Sequence, residues 1–335
     1  MDTAAQILWE LAIQVGEENR ARWLTQHFSG YAPGRDSSGN VYFGSGPLML
    51  LAHIDTVLQP WPKVVESEGK WWSPGIGDNS SGAAILASLL GEVDLTQLTL
   101  GFTVGEEGLG NLRGARALVG AFSPRQVIAV DGYLGSVVMG NLGIRRIRAE
   151  LKGPGGHAWA NRQAGNPAVA LGQALIALFA LRREGIGVNV GRVYGGEAIN
   201  AVPSLMSMEL DLRAAQAGEI DWLEAAAREV LMEAARAEGV SLELASLGHR
   251  PAGTTASPAM LAAAEQALDA EGWPVDFHEG STDAGAAVER GIPALGFGVY
   301  LGGGAHTREE WVDPQSLEPG RRSLLRLIAA FKQLY

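Results

Sequence analysis

The sequence has no cysteine among its 335 residues. This absence excludes disulfides, thiolate metal ligands and cysteine nucleophiles. Any bound metal must therefore be held by histidine, aspartate and glutamate side chains. Imidazole and carboxylate ligands favour hard or borderline ions such as zinc, manganese or cobalt.

Basic residues are scarce, with 26 Lys and Arg against 37 Asp and Glu and a formal net charge of -11. A nucleic-acid site needs clustered positive charge, so we expect no nucleic-acid partner. Long apolar runs are also missing, because the longest, residues 168–181, is too short to span a membrane. The first residues carry an acidic side chain where a secretory signal carries basic ones. We therefore expect a soluble cytoplasmic protein with no membrane partner.

Apolar side chains, in contrast, make up 47% of the chain, which is enough for a sizeable core, and the length suggests two domains. Residues 1–143 and 251–335 alternate apolar strand-like runs with helices, which indicates an α/β domain. From residue 144 the predicted order is β-α-β-β-α-β, with charged and apolar residues alternating in the first strand. We therefore predict that residues 144–250 form an inserted domain, a small antiparallel sheet with two helices on one face.

Two adjacent carboxylates, Glu106 and Glu107, follow the apolar run of residues 98–104. They stand at the carboxyl end of a predicted buried strand, where open α/β sheets place their ligands. One carboxylate there could hold a metal while its neighbour moves a proton. A solvated loop would also accommodate the pair, so the pair alone does not establish a site.

A second predicted strand ends in His53, and Asp55 follows two residues later. On an extended chain these side chains share a face, so Asp55 can hold one ring nitrogen of His53 while the other binds a metal. A plain hydrogen bond between them at a strand end is the alternative. Asp78 lies where a glycine-rich turn meets a helix, either as the helix N-cap or as a carboxylate that bridges two metals.

Asp131 ends a third buried-looking strand, and His306 follows a flexible glycine-rich loop near the end of the chain. The three strand-like runs thus all end in ligand-type residues, which gathers polar groups at one edge of a sheet. One such placement is easily coincidental. Three together indicate a functional site.

In this order, the residues resemble the dinuclear-zinc exopeptidase and deacylase family, which includes carboxypeptidase G, peptidase T, aminoacylase, acetylornithine deacetylase and succinyl-diaminopimelate desuccinylase. The resemblance covers nearly the whole chain and implies a zinc-exopeptidase-like α/β/α sandwich with an inserted ferredoxin-like lid that also forms a homodimer. It is carried, in chain order, by His53 with Asp55, Asp78, Glu106 with Glu107, Asp131, the insertion, and Ala305 with His306.

The resemblance implies two divalent metal ions, zinc in the first place and manganese or cobalt as alternatives. Asp78 would bridge the two ions. His53 and Asp131 would complete the site of one ion, and Glu107 and His306 would complete the site of the other. Two close metals can lower the pKa of a shared water and polarise a scissile carbonyl.

Three further roles follow from the same resemblance. Glu106 would be the general base that takes a proton from the water and passes it to the leaving amine. Asp55 would be the partner that orients His53. His157, in the segment Gly153–His157, would stabilise the oxyanion, often in the active site of the partner subunit, whereas a surface loop histidine is the alternative.

Asn200 and Arg213 match positions that grip a substrate carboxylate in the family, a role that suits the planar bidentate fork of arginine. The alternative for Arg213 is a strand-end salt bridge to a carboxylate of the lid. The stretch after Asp78, residues 79–82, also occurs in related single-domain zinc aminopeptidases, but these lack an inserted lid.

We therefore expect a metallopeptidase of the peptidase T or carboxypeptidase G type, which cleaves an amide bond in a small substrate with a free carboxylate, a di- or tripeptide. An N-acyl-amino-acid deacylase of the acetylornithine deacetylase or desuccinylase type would use the same residues, and no residue separates the two. A noncatalytic binding protein on the same fold is the remote alternative. It is disfavoured because Asp78, Glu107 and Asp131 would repel one another without cations.

Overall fold

The computed structural model describes residues 2–332, which divide into two compact units. The first unit comprises the residues up to Asn141 and from Thr254 onward, and the second comprises Leu142–Gly253. The second unit is therefore an insertion in the chain of the first. Among residues 2–332, no helix combines the length and the apolar composition that crossing a membrane requires.

The helices and strands fall into three consecutive stretches of the chain. The first stretch contains α1 (Ala4–Leu11), α2 (Glu17–His27), β1 (Gly34–Arg35), β2 (Val41–Gly44), β3 (Leu48–His53), β4 (Val65–Ser67), β5 (Lys70–Trp72), α3 (Gly82–Ala87), β6 (Leu98–Thr103), α4 (Arg113–Phe122), β7 (Gln126–Val130) and β8 (Ser136–Asn141). The inserted unit contains β9 (Gly143–Lys152), β10 (Gly156–His157), α5 (Pro167–Phe179), β11 (Ile186–Gly195), β12 (Ala201–Val202), β13 (Leu205–Ala214), α6 (Ala217–Glu238) and β14 (Ser241–Arg250). The last stretch contains α7 (Pro258–Asp269), β15 (Asp276–Gly280), α8 (Gly285–Val288), β16 (Ala294–Phe297), β17 (Leu301–Gly303), β18 (Trp311–Asp313) and α9 (Leu317–Phe331).

The first unit is built on an eight-stranded sheet with the order β1-β2-β6-β3-β7-β16-β8-β15. The central strands β6, β3, β7 and β16 run parallel to one another. Every residue of β3, β6 and β7 is buried. Strands that are covered on both faces have continuous apolar sequences, which explains why the sequence of β3 shows no alternation.

Alternate residues of β3 contribute to two different hydrophobic cores. Leu48 and Leu50 belong to a core that also takes residues from α1, α3, α7 and α9. Met49 and Leu51 belong to a second core with residues of α4 and α8. Helices therefore cover both faces of the sheet, and the predicted α/β/α sandwich is confirmed.

Two features of the first unit are not marked in the sequence. Strand β8 is antiparallel to β16 and parallel to β15, so it lies between these two strands in the large sheet. A separate four-stranded sheet has the order β17-β18-β5-β4. Strand β4 is exposed along its length and β8 is only partly buried at its first position, so neither has a clear apolar period.

The second unit contains a four-stranded antiparallel sheet with the order β11-β13-β9-β14. Its core joins α5 and α6 to this sheet through residues such as Leu178, Leu231 and Ile147. The four strands of this sheet and the two helices follow the order β-α-β-β-α-β, as the sequence predicts, and the short strands β10 and β12 form a separate pair. The predicted ferredoxin-like arrangement of the insertion is confirmed.

Candidate active site

Three parallel strands bring ligand-type side chains to one edge of the large sheet. His53 is the last residue of β3 and pairs with Thr103 at the end of β6. Glu106 and Glu107 follow β6, and Asp131 follows β7, which lies on the other side of β3. Because these strands are parallel, their carboxyl ends meet at the same edge.

Two histidines hold Asp78 between them. His53 Nε2 lies 3.0 Å from Asp78 Oδ1 and 3.9 Å from Asp131 Oδ2. His306 Nε2 lies 3.0 Å from Asp78 Oδ2 and 3.0 Å from Glu107 Oε1. All five residues that the sequence predicted as metal ligands therefore converge, with Asp78 at the centre.

The side chain of Asp78 does not cap a helix. Helix α3 begins at Gly82, and its flanking residue Ser81 makes no side-chain capping hydrogen bond. Asp78 instead lies in the irregular turn before this helix, with φ -96° and ψ 98°. The N-cap alternative is therefore wrong, because the turn directs the carboxylate to the two histidines.

Asp55 holds both His53 and the turn that carries the paired glutamates. Its carboxylate accepts hydrogen bonds from the main-chain N–H groups of Glu106, at 3.1 Å, and Glu107, at 2.7 Å. The carbonyl oxygen of Asp55 lies 3.1 Å from His53 Nδ1, closer than its carboxylate oxygen at 3.5 Å. Asp55 therefore orients His53 as predicted in outline, although the nearer acceptor is its main chain.

The acidic side chains of the cluster lie close together and are largely shielded from solvent. Burial together with the charges of Asp78 and Glu106 raises the pKa of Glu107 to about 7. Burial and the nearby charge of Asp78 also raise the pKa of Asp131 well above its ordinary value. Burial and neighbouring negative charges thus act in the same direction on both carboxyl groups.

The two histidines form hydrogen bonds with the carboxylates of the cluster. Burial alone would lower the pKa of His53, but hydrogen bonds to Asp55 and Asp78 raise it well above its ordinary value. A hydrogen bond to Asp78 raises the pKa of His306 to about 9. Burial would raise the pKa of Asp78, but His306 and His53 hold it below its usual range. Hydrogen bonds between the rings and the carboxylates thus shift the pKa values of both kinds of group in this cluster.

The donor set fits a divalent metal. Donor atoms of His53, Asp78 and Glu107 all lie within 4.8 Å of one another. The set contains imidazole nitrogen and carboxylate oxygen, which are ligands of zinc, manganese and cobalt. Hydrogen-bond partners fix the orientation of the ligands, as the contact from Asp55 to His53 does.

Two buried carboxyl groups near the cluster were not indicated by the motifs. Thr103 Oγ1 donates a hydrogen bond to Asp283 Oδ2, whereas Asp283 Oδ1 is buried without a partner. Burial and the charge of Glu106 raise the pKa of Asp283 to about 7. Glu310 is the second group, and it contacts the main chain of the Asp78 turn. The position of Glu310 four residues after His306 is the one feature of the sequence that could have drawn attention to it.

A cavity of about 440 Å³ adjoins the cluster, and Glu107 and Asp55 form part of its wall. Val15, Val57 and Pro60 are among its apolar lining residues. The cavity is large enough for one side chain or acyl group of a small substrate.

The residues predicted for the lid lie within the second unit. Strand β10 carries His157 and pairs with β12, and Asn200 directly precedes β12. The main-chain N–H of Ala158 donates to the carbonyl oxygen of Asn200 at 2.9 Å, so His157 and Asn200 are neighbours. The main-chain N–H groups of Trp159 and Ala160 donate to His157 Nδ1 at 3.2 and 3.4 Å. A neutral His157 therefore carries its hydrogen on Nε2, where it can be donated.

Arg213 lies near the end of β13, far from the loop that carries Asn200 before the start of this strand. Leu205, at the Asn200 end of β13, pairs with Lys152, whereas Arg213 pairs with Ile144. Eight residues of extended chain separate Leu205 from Arg213, which corresponds to roughly 26 Å. Arg213 Nε donates to Asp211 Oδ1 at 2.6 Å, which is the strand-end salt bridge considered as its alternative. One chain therefore does not bring Asn200 and Arg213 together.

Comparison with known proteins agrees with the fold. Residues 49–330 match the family model described as peptidase family M20/M25/M40. The indole-3-acetyl-aspartic acid hydrolase of Enterobacter agglomerans is 30% identical over an alignment of 240 residues, and the alignment covers 62% of this chain and 53% of that protein. The chain thus spans about half the length of this curated relative.

Two solved structures are similar along nearly their whole length. The aminopeptidase PepT of Bacillus cereus ATCC 10987 superposes with a TM-score of 0.77 at 19% identity, covering 98% of this chain and 97% of that one. A tripeptidase of Staphylococcus aureus subsp. aureus mu50 superposes with a TM-score of 0.79 at 19% identity, covering 97% and 96%. These likenesses establish the fold, and the family match extends over most of the sequence. The resemblance inferred from the motifs is confirmed, and the chain belongs to peptidase family M20/M25/M40, a family of metal-dependent peptidases and amidohydrolases.

Proposed function

We propose that this family member is an exopeptidase that hydrolyses di- or tripeptides with a free carboxylate. The observation that carries the proposal is the convergence of His53, Asp78, Glu107, Asp131 and His306 at the carboxyl edge of the sheet, beside Glu106. A noncatalytic binding protein would have no need to keep so many acidic groups in repulsive proximity.

Two divalent ions, with zinc as the first choice, fit this donor set. Asp78 would contact both ions through its two oxygens, which already face different histidines. His53 and Asp131 would hold one ion, and Glu107 and His306 the other. When bound, such ions lower the pKa of a water molecule and polarise the amide carbonyl.

Glu106 is the general base in this proposal. Its side chain is only 5% exposed, and its main-chain N–H is fixed by the carboxylate of Asp55. The carboxylate of Glu106 takes the proton from the attacking water and then transfers it to the nitrogen of the leaving amine. A positioned carboxylate of this kind typically contributes about 10²- to 10⁴-fold to the rate.

His157 is the oxyanion donor in this proposal. Its Nε2–H is available because main-chain N–H groups occupy Nδ1. This hydrogen would be donated to the carbonyl oxygen as negative charge develops there. Such a donor stabilises the transition state more than the substrate, so it raises kcat.

We further propose that the chain forms a homodimer through the second unit. Strand β11 is at the edge of its sheet, and Val193 and Tyr194 on it are exposed. Ile176 and Phe179 on α5 are also exposed apolar side chains. Exposed apolar groups next to an unpaired strand edge are typical of protein interfaces.

A homodimer would also account for the separation of Asn200 and Arg213. If both residues contact one substrate carboxylate, they must come from different subunits, because Asn200 lies before the start of β13 and Arg213 lies near its end. Arg213 would exchange its bond to Asp211 for a bidentate bond to the substrate.

A deacylase of N-acyl amino acids is the second candidate function. It is favoured by one finding, the similarity to the indole-3-acetyl-aspartic acid hydrolase of Enterobacter agglomerans. The cavity beside Glu107, of about 440 Å³, would suit an acyl group as well as an amino-acid side chain.

The test combines metal analysis with a substrate panel. Metal content is measured by mass spectrometry, and hydrolysis of dipeptides, tripeptides, N-acetyl amino acids and indole-3-acetyl-aspartate is followed before and after chelation. We expect about two ions per chain, as a dinuclear site requires, and cleavage of peptides that stops on chelation and returns with zinc, manganese or cobalt. Preference for the acylated substrates would replace the peptidase by the deacylase. Absence of both metal and hydrolysis would overturn the proposed function.

A further inference from the structure

Glu310 forms a cradle for the turn that carries Asp78. Its Oε2 accepts a hydrogen bond from the main-chain N–H of Gly75 at 2.6 Å. Its Oε1 accepts hydrogen bonds from the N–H groups of Gly77, at 2.9 Å, and Asp78, at 2.7 Å. Glu310 is only 2% exposed, so water does not compete for these bonds.

The turn depends on this carboxylate because it cannot satisfy its own main chain. Gly75 has a left-handed conformation with φ +72°, and Asp78 lies outside helical geometry. Neither residue is therefore part of a regular helical hydrogen-bond pattern. A buried N–H without an acceptor costs about 1–3 kcal/mol, so removal of the acceptor would favour a different turn.

Glu310 also ties the Asp78 turn to the segment that carries His306. Its carbonyl oxygen accepts a hydrogen bond from the N–H of Ser73 at 3.1 Å. The next residue, Trp311, begins β18 and pairs with Trp72 on β5. The main chain and the side chain of Glu310 thus join the two segments whose side chains meet where His306 Nε2 lies 3.0 Å from Asp78 Oδ2.

We propose that Glu310 is a positioning residue that fixes Asp78 relative to His306 and thereby sets the affinity of the cluster for divalent metal. The inference rests on the proposed function in one respect, namely that the cluster binds metal. Glu310 itself uses both carboxylate oxygens on main-chain N–H groups and acts on the metal only through Asp78 and His306. Partners that orient metal ligands in this way typically contribute about 10- to 100-fold to metal affinity.

The test compares Glu310→Gln with Glu309→Gln. The first variant keeps the size of the side chain but replaces one accepting oxygen by an NH₂ group, which cannot accept from the turn. Glu309 is the adjacent residue and is exposed, so its substitution is a matched control. Each protein is freed of metal by chelation and titrated with Zn²⁺ against a chromogenic chelator, and the thermal unfolding of the metal-free form is recorded in parallel.

We expect Glu310→Gln to weaken at least one of the two Zn²⁺-binding steps by about 10-fold or more, with Glu309→Gln unchanged. The visible spectrum of the Co²⁺-loaded protein should also change in Glu310→Gln, because it reports the arrangement of the ligands. Unchanged Zn²⁺ affinity with only a lower metal-free Tm would overturn the inference and leave Glu310 a structural residue. A wild-type protein that binds no metal would instead overturn the proposed function together with this inference.

Should Glu310→Gln fold poorly, the Co²⁺ spectrum of its folded fraction still gives the answer. The spectrum is normalised to bound cobalt, so a smaller amount of folded protein lowers its intensity without changing its shape. A shape identical to that of the wild-type protein contradicts the inference, and an altered shape supports it.

Discussion

The two units hold their candidate functional residues in different ways. In the first unit, His53 and Glu106 are buried, and the candidate ligands contact one another at distances such as 3.0 Å between His53 and Asp78. In the second unit, His157 and Asn200 are exposed and are held mainly through main-chain hydrogen bonds. The first arrangement is therefore organised by contacts between side chains, whereas the second is organised by the main chain.

This difference follows from how each set of residues is supported. Parallel strand ends place the first set on rigid backbone with apolar cores on both faces of the sheet. The second set lies on two-residue strands and turns, where fewer contacts fix a side chain. We therefore expect substitutions in the first unit to affect metal binding or the chemical step, and substitutions in the second to affect the rate with the metals retained.

The largest effect is expected for Glu106→Gln, which removes the proposed general base but keeps its shape. Because Glu106 is not assigned as a metal ligand, the metal content should be unchanged. The value of kcat should fall by about 10²- to 10⁴-fold, since the amide cannot take a proton from water. Steady-state kinetics and metal analysis of the same sample check both statements.

Glu107→Gln provides the contrast for this experiment, because its carboxylate contacts His306 within the cluster. We expect it to lose metal as well as activity. If Glu106→Gln hydrolyses peptides as fast as the wild-type protein, the assignment of the general base is wrong.

A smaller effect is expected for His157→Ala in the second unit. Loss of one oxyanion donor typically lowers kcat by about 10²- to 10³-fold, and metal content should not change. His249→Ala is the matched control, since His249 is an exposed histidine of the same unit that belongs to no motif. An unchanged kcat in His157→Ala would remove this residue from the oxyanion role.

The same comparison explains which parts of the molecule could be predicted from the sequence. Continuous apolar strands that end in polar residues have a simple consequence, because the carboxyl ends of parallel strands share an edge. This rule was sufficient to predict that His53, Glu107 and Asp131 lie close together. Local periodicity predicted the α/β class of the first unit and the inserted β-α-β-β-α-β unit, and the family resemblance added the sandwich.

Other features depend on contacts that no local pattern records. Glu310 meets Gly77 across 233 positions of sequence, and neither residue lies in an apolar repeat. Asp283 is buried against Thr103, 180 positions away. The thirteen-residue spacing of Asn200 and Arg213 likewise gives no warning that an extended strand holds them apart.

The buried carboxyl group of Asp283 allows a test of how well the first unit tolerates another negative charge. Its pKa is raised from the ordinary value of 3.8 to about 7 by burial and by the charge of Glu106. Between these two values the folded protein binds a proton that the unfolded chain does not. The metal-free protein should therefore lose stability as the pH rises from about 4 to about 7, by at most roughly 4 kcal/mol through this group.

Asp283→Asn should abolish this part of the pH dependence, because the amide stays neutral and its oxygen can still accept from Thr103. Urea unfolding of the metal-free proteins at pH 5 and pH 7.5 measures the effect. The variant should gain stability relative to the wild-type protein at the higher pH, whereas Asp276→Asn, at an exposed position on β15, should leave the pH dependence as it is. Equal pH dependence in the wild-type protein and Asp283→Asn would mean that Asp283 is already ionised in the folded state. The buried edge of the sheet would then tolerate a further negative charge, and crowding of carboxylates would be a weaker reason for a cation there.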